Sequence, residues 1–279
     1  MTKLFALFTI EVPKPTNYGW FHLLCMAVII LSTVLLCIWF KDASDTVFRK
    51  IALICWLIMV VFEVYKQIVF TFSVEENVFI KDYDWSAFPY QLCSTPLYIL
   101  PFVAFIKNQK INDFFASYIS TFALFGGIVV FFYPNDVFNN PYLGIHIQTM
   151  VHHGLQVVTG VFFAVHNRKR LNFTYFLKAI PVFLVLLSIA CILNESVLSA
   201  LQNSGIEDSF NMFYISRYFE NHLPLLSTVY QSVDWIIFLL AYTFGFIVAS
   251  FIVYSIIIGI IKLVNKLLLI SSEKQDKHA

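Results

Sequence analysis

A lone thiol, Cys93, stands beside Gln91, Ser94 and Thr95 in the apolar run FPYQLCSTPLYILPF, residues 88–102. A leucine would suit a membrane helix better, so the thiol asks for a chemical reason. A thiolate is a strong nucleophile, and a histidine that titrates near neutrality can take the thiol proton and later return it. The chain offers that base twice, at His152 and His153, on a segment whose Gln148, His152 and Gln156 fall four residues apart, as do Thr149 and His153. Cys93 with His153 or His152 is therefore a candidate pair for acyl transfer through a thioester. Ser94, Thr95 and Gln91 are placed to orient it or to donate to an oxyanion.

Other polar residues in apolar surroundings are Glu63, Lys66 and Gln67, and further along Asn194 and Glu195. A charge at bilayer depth costs about 2.5–3.5 kcal/mol. Glu63 and Lys66, three apart, share a helical face and can neutralise each other. The plain readings stand beside the chemical ones. A membrane cysteine commonly packs as a small apolar group, and Glu63–Lys66 fits a structural or substrate-orienting pair. Metal binding has no motif to rest on, since HExxH is absent and adjacent histidines diverge on a helix.

The elements that must position these groups are membrane spans. Of 279 residues, 59% are apolar and 13% charged, and the mean hydropathy is +0.77. These values lie far from those of a soluble domain. Windows of roughly 20 apolar residues occur seven times, at 20–40, 51–72, 90–107, 111–133, 144–166, 176–200 and 235–262. The runs are continuous, which excludes a β-barrel. The first is too long for a signal peptide and lacks a cleavage site, so the amino terminus is expected to stay attached.

Lys and Arg follow the first, third, fifth and seventh windows: Lys41, Arg49 and Lys50; Lys107 and Lys110; Arg168, Lys169, Arg170 and Lys178; Lys262, Lys266, Lys274 and Lys277. The charge bias of short loops puts these on the cytoplasmic side, although Lys3 and Lys14 load the other end. The expectation is an all-α membrane protein, a bundle of seven transmembrane helices with the amino terminus outside and the carboxyl terminus cytoplasmic. Residues 1–266 are expected to form one domain and 267–279 a polar cytoplasmic tail, the stretch from Lys262 beginning as a basic amphipathic extension suited to the inner membrane surface before it loses structure. At about 1.5 Å per residue, Glu63 and Lys66 lie roughly 18 and 22 Å from the inner end of their helix and His153 about 13 Å below the outer surface. Cys93 falls a few ångströms from the outer end of its own span. Together with Asn194 and Glu195 they would line one cavity opening outward. The net charge of +1 does not bear on nucleic acid, and the lack of a basic stripe with interleaved aromatics sets that class aside. The other cysteines, at 25, 37, 55 and 191, read as buried apolar groups.

The pieces EVYKQ (63–67), FPYQLCS (88–94), MVHHGLQVV (150–158), FNMFYIS (210–216) and VDWIIF (233–238) give the chain a resemblance, in order and spacing, to the YwaF-like integral-membrane family of bacteria. A distant relative of that family is a vertebrate transmembrane acyltransferase that remodels ether phospholipids. The resemblance implies seven helices, a catalytic Cys93, His153 as its partner, and a bacterial plasma membrane as location. It brings in Asn211 and Tyr214 as substrate-side residues. The loop NMFYIS departs from the family pattern in lacking a basic residue and a Pro-rich continuation. The leading reading is a lipid acyltransferase or thioesterase working without cofactor or metal on a membrane lipid. Glu63 and Lys66 would hold the head group or orient His153. The alternative is a non-enzymatic seven-helix receptor, an accessory subunit of an envelope system, or a small-solute transporter. No protein partner is indicated.

Overall fold

The computed structural model describes residues 2–76, 78–134, 137–206, 208–220, 223 and 226–276. A short α1 (Thr2–Phe8) leads to α2 (Trp20–Phe40) and α3 (Asp45–Thr71), then to a hairpin of β1 (Phe72–Glu75) and β2 (Val78–Lys81). There follow α4 (Pro96–Phe105), α5 (Gln109–Tyr118), α6 (Leu124–Phe132), α7 (Leu143–His166), α8 (Phe173–Asn203), α9 (Leu226–Ser232) and α10 (Trp235–Asp276). A π-helical turn, Ile119–Ala123, joins α5 to α6 as one continuous rod.

Each of the seven apolar windows is helical. Among the described residues four helices are long and apolar enough to cross a membrane: Trp20–Phe40, Gln109–Phe132, Phe173–Asn203 and Trp235–Leu267. With helix dominating and sheet confined to one hairpin among the described residues, this is an all-α membrane protein. α2 and α10 expose most of their apolar surface, whereas Gln109–Phe132 is largely buried and forms the centre. Phe122 and Phe183 stack there at 4.4 Å.

The expected third span, 90–107, differs from the reading. Its helical part is Leu92–Phe105, about 21 Å long and short of the ~30 Å hydrocarbon core. A 3-10 turn (Leu92–Ser94) comes first, and Pro96 opens α4 where a missing N–H costs nothing. Pro101, inside α4, cannot bond the carbonyl of Leu97. The indole Nε1–H of Trp56 on α3 donates to that carbonyl instead, at 2.9 Å.

Two further differences are local. The hairpin, with Phe72 opposite Lys81 and Glu75 opposite Val78, lies where a loop was expected, because strands of four residues carry too little alternation to show. The tail stays helical to Asp276 rather than losing structure after residue 266.

The loop ends that carry Lys and Arg meet one another. Arg168 pairs with Asp42 and donates to the carbonyl of Lys41 at 2.9 Å. Buried Asp113 at the start of α5 accepts from Arg170 at 3.0 Å and Lys178 at 2.8 Å.

Candidate functional site

The thiol-bearing turn is fixed from three sides. Ser94 N–H donates to the Gln91 carbonyl at 2.8 Å and Thr95 N–H to that of Leu92 at 3.3 Å. The Thr95 hydroxyl also donates to the Leu92 carbonyl, at 2.6 Å, so the Tyr118 phenol, 2.7 Å from Thr95 Oγ1, must be the donor of that pair. Tyr118 ends α5 at the edge of the π-helical turn and is fully buried.

From α7, His152 Nε2 and Gln156 Nε2 each stand 2.9 Å from the backbone carbonyl oxygen of Cys93. A carbonyl only accepts, so His152 carries its proton on Nε2 and presents a bare Nδ1, buried and without a hydrogen-bond partner among the described residues. His153 takes the opposite tautomer. Its Nδ1–H donates to the Thr149 carbonyl at 2.8 Å, which leaves the Nε2 lone pair available. The stripe Gln148, His152, Gln156 is the buried one, and Thr149 and His153 are half-buried. Gly127 on α6 lets the helices approach here: a Cβ on it would stand 2.9 Å from both the Gln156 Cβ and the His153 carbonyl oxygen.

From α3, Lys66 Nζ lies 3.1 Å from Glu63 Oε1, and Gln67 Nε2 donates to the same oxygen at 2.7 Å and to the Ala87 carbonyl at 2.9 Å. Tyr83 donates to Gln67 Oε1 at 2.8 Å. Burial and then the Glu63 carboxylate push its phenol up to about 12, so it remains a donor at any ordinary pH. Lys66 is within electrostatic reach of Cys93, His152 and His153 alike, and Glu63 of Cys93.

The remaining expected residues divide. Gln91 and Asn194 are clamps on the loop after α8. Gln91 donates to the Asn211 carbonyl and accepts from Phe213 N–H, both at 2.8 Å. Asn194 exchanges the same two bonds with Met212, at 2.7 and 3.0 Å. These hooks hold Phe213 and Tyr214 at φ of 58° and 56°, a left-handed region costly for aromatic residues. Asn211 Oδ1 accepts from Ser216 N–H at 2.9 Å and so stabilises the same loop. Tyr214 is partly exposed on it, and Tyr242 is buried within electrostatic reach of both Tyr214 and Cys93. Glu195 is not brought to the thiol. It pairs on the exposed rim with Arg217 at 2.7 Å and accepts from Tyr218 at 3.0 Å.

The sequence reading missed Tyr118, Tyr242 and the role of Gln156. Gln156 was visible as the residue one turn after His152. Among 31 Phe and 14 Tyr, nothing distinguished the two tyrosines from lipid-facing or interfacial aromatics. Among the described residues no cluster of three or more metal-ligating side chains forms.

No curated protein and no solved structure matches the chain. The model of the TMEM164 family matches residues 17–254, a stretch that takes in α2 through the first half of α10 and every residue of the Cys93 cluster. The chain is a membrane protein of the TMEM164 family.

Proposed function

We propose that the protein is a membrane-embedded acyltransferase or thioesterase that carries an acyl group on Cys93. The observation that supports this reading is the packing of α7 on the thiol-bearing turn: His152 and Gln156 bond the Cys93 carbonyl at 2.9 Å, and the adjacent His153 keeps its Nε2 free.

In the first half-reaction His153 Nε2 takes the thiol proton and the thiolate attacks an ester carbonyl of a membrane lipid. Collapse breaks the ester C–O bond. The lysolipid oxygen leaves with the proton from His153, and the acyl group stays as a thioester. In the second, an acceptor hydroxyl or water gives its proton to His153 and attacks the thioester, and the thiol takes the proton back. The amino-terminal end of α4 and Lys66 face the developing oxyanion. His152 and Gln156 hold the turn, and Glu63 sets the position of Lys66.

The same reading includes seven spans with the amino terminus outside, in a plasma membrane, and kinship with the bacterial YwaF-like proteins. The meeting of the basic loop ends through Asp42–Arg168 and Asp113–Arg170 supports the alternation of spans. In proteoliposomes with an acyl-labelled phospholipid, intact-mass analysis should find one acyl group on Cys93, and Cys93→Ala and Cys93→Ser should lose exchange while remaining folded. Exchange that survives in Cys93→Ala overturns the mechanism. An unacylated wild type that gains stability with a small solute favours the receptor reading.

A further inference from the structure

A groove of about 290 Å³ runs along α3, with Val60, Glu63, Val64, Ile68 and Phe72 on one side and Leu97 of α4 on the other. That volume lies at the lower end of small-molecule pockets, room for one chain rather than a whole two-chain lipid. From Val60 to Phe72 it extends about 18 Å along the helix. Val64 is 53% exposed, so the groove opens sideways toward lipid rather than upward to water.

Its polar lining is almost fully satisfied. Gln67 is bonded to Glu63, Ala87 and Tyr83, and the Thr71 hydroxyl donates to the Gln67 carbonyl at 2.5 Å. The exception is Glu63, 7% exposed, whose Oε2 is buried without a partner among the described residues. A buried carboxylate oxygen without a donor is costly, and a ligand that supplies one is bound for that reason. Leu97, on the far wall, belongs to α4, the helix that the Cys93 turn leads into.

We infer that this groove is a lateral port for a single hydrocarbon chain whose polar end carries a hydroxyl or ammonium hydrogen for Glu63 Oε2. The inference rests on the acyl-transfer reading for its purpose, not for its test. An apolar tail fits Val60, Val64, Ile68 and Phe72, and a donor at its end meets the one unanswered oxygen.

The test is photolabelling of the full chain in nanodiscs with a diazirine-tailed monoacylglycerol, with the labelled peptides mapped by mass spectrometry. Labelling should concentrate on residues 60–72 and on Leu97, and should persist in Cys93→Ala, which separates it from catalysis. Val64→Trp, a change at a lipid-exposed position, should reduce it about tenfold. Monoolein should displace the probe at about one-tenth the mole fraction that methyl oleate requires. Labelling on α3 no denser than on the exposed face of α2, or unaffected by Val64→Trp, overturns the port. Equal competition by the two lipids overturns the role of Glu63. Loss of acyl exchange with labelling intact would strike the proposed chemistry and leave the port standing.

Discussion

His152 hydrogen-bonds to the backbone of Cys93: its Nε2 lies 2.9 Å from the carbonyl oxygen, while the neighbouring His153 turns its Nδ1–H back to Thr149 and keeps Nε2 free. Adjacent histidines on one helix thus differ, one holding the turn and the other keeping a free ring nitrogen.

His152→Ala and His153→Ala should therefore separate. Loss of the His152 donor leaves Gln156 alone on the Cys93 carbonyl, at a cost of about 1–1.5 kcal/mol before any cavity term. His153→Ala should leave the thermal midpoint near wild type and slow alkylation of Cys93 by iodoacetamide. Equal midpoints with equal alkylation rates would refute the division.

Lys66→Met should destabilise more than Glu63→Gln/Lys66→Met. Glu63 is 7% exposed, and a buried carboxylate deprived of its cation costs about 3 kcal/mol or more, whereas removal of both charges is far milder. Denaturant midpoints of the two variants in detergent test this, and a double variant no more stable than the single one would contradict it.

Trp56→Phe should cost about 1–2 kcal/mol because the Leu97 carbonyl then lacks any donor. In Pro101→Ala that carbonyl regains its helical partner, so Trp56→Phe should cost about 1 kcal/mol less in that background. Additive effects in the thermal double-mutant cycle would show that the indole bond is incidental.

Asn194→Ala removes two bonds from the loop that holds Phe213 and Tyr214 in left-handed conformation. Release of that loop should accelerate tryptic cleavage after the exposed Arg217 by about tenfold, the effect of roughly 1.4 kcal/mol on local opening. Cleavage at the wild-type rate would mean that Gln91 suffices as a clamp.

The helices were legible because hydrophobicity alone marks them. The windows 20–40 and 144–166 fall within a residue of α2 and α7. The third window misled because its apolar run continues through Pro96 and Pro101, where the backbone changes character while the hydropathy does not. Glu63–Lys66 was readable, since spacing of three on a helix is a local fact. The tasks of Gln91 and Asn194 were not, because their partners lie 122 and 18 residues away and an amide looks the same whether it binds substrate or backbone. Glu195 was assigned by depth, but its direction around the helix takes it to Arg217.

The bond between Trp56 and Leu97 also bears on how the protein enters its membrane. In hydrocarbon a helix must satisfy its own backbone or find a partner. α4 does neither alone: it is too short to reach both surfaces, and its Leu97 carbonyl is left open by Pro101. α3 supplies the missing donor. The backbone of α4 is thus complete only with α3 beside it, so the two helices satisfy hydrocarbon as a pair.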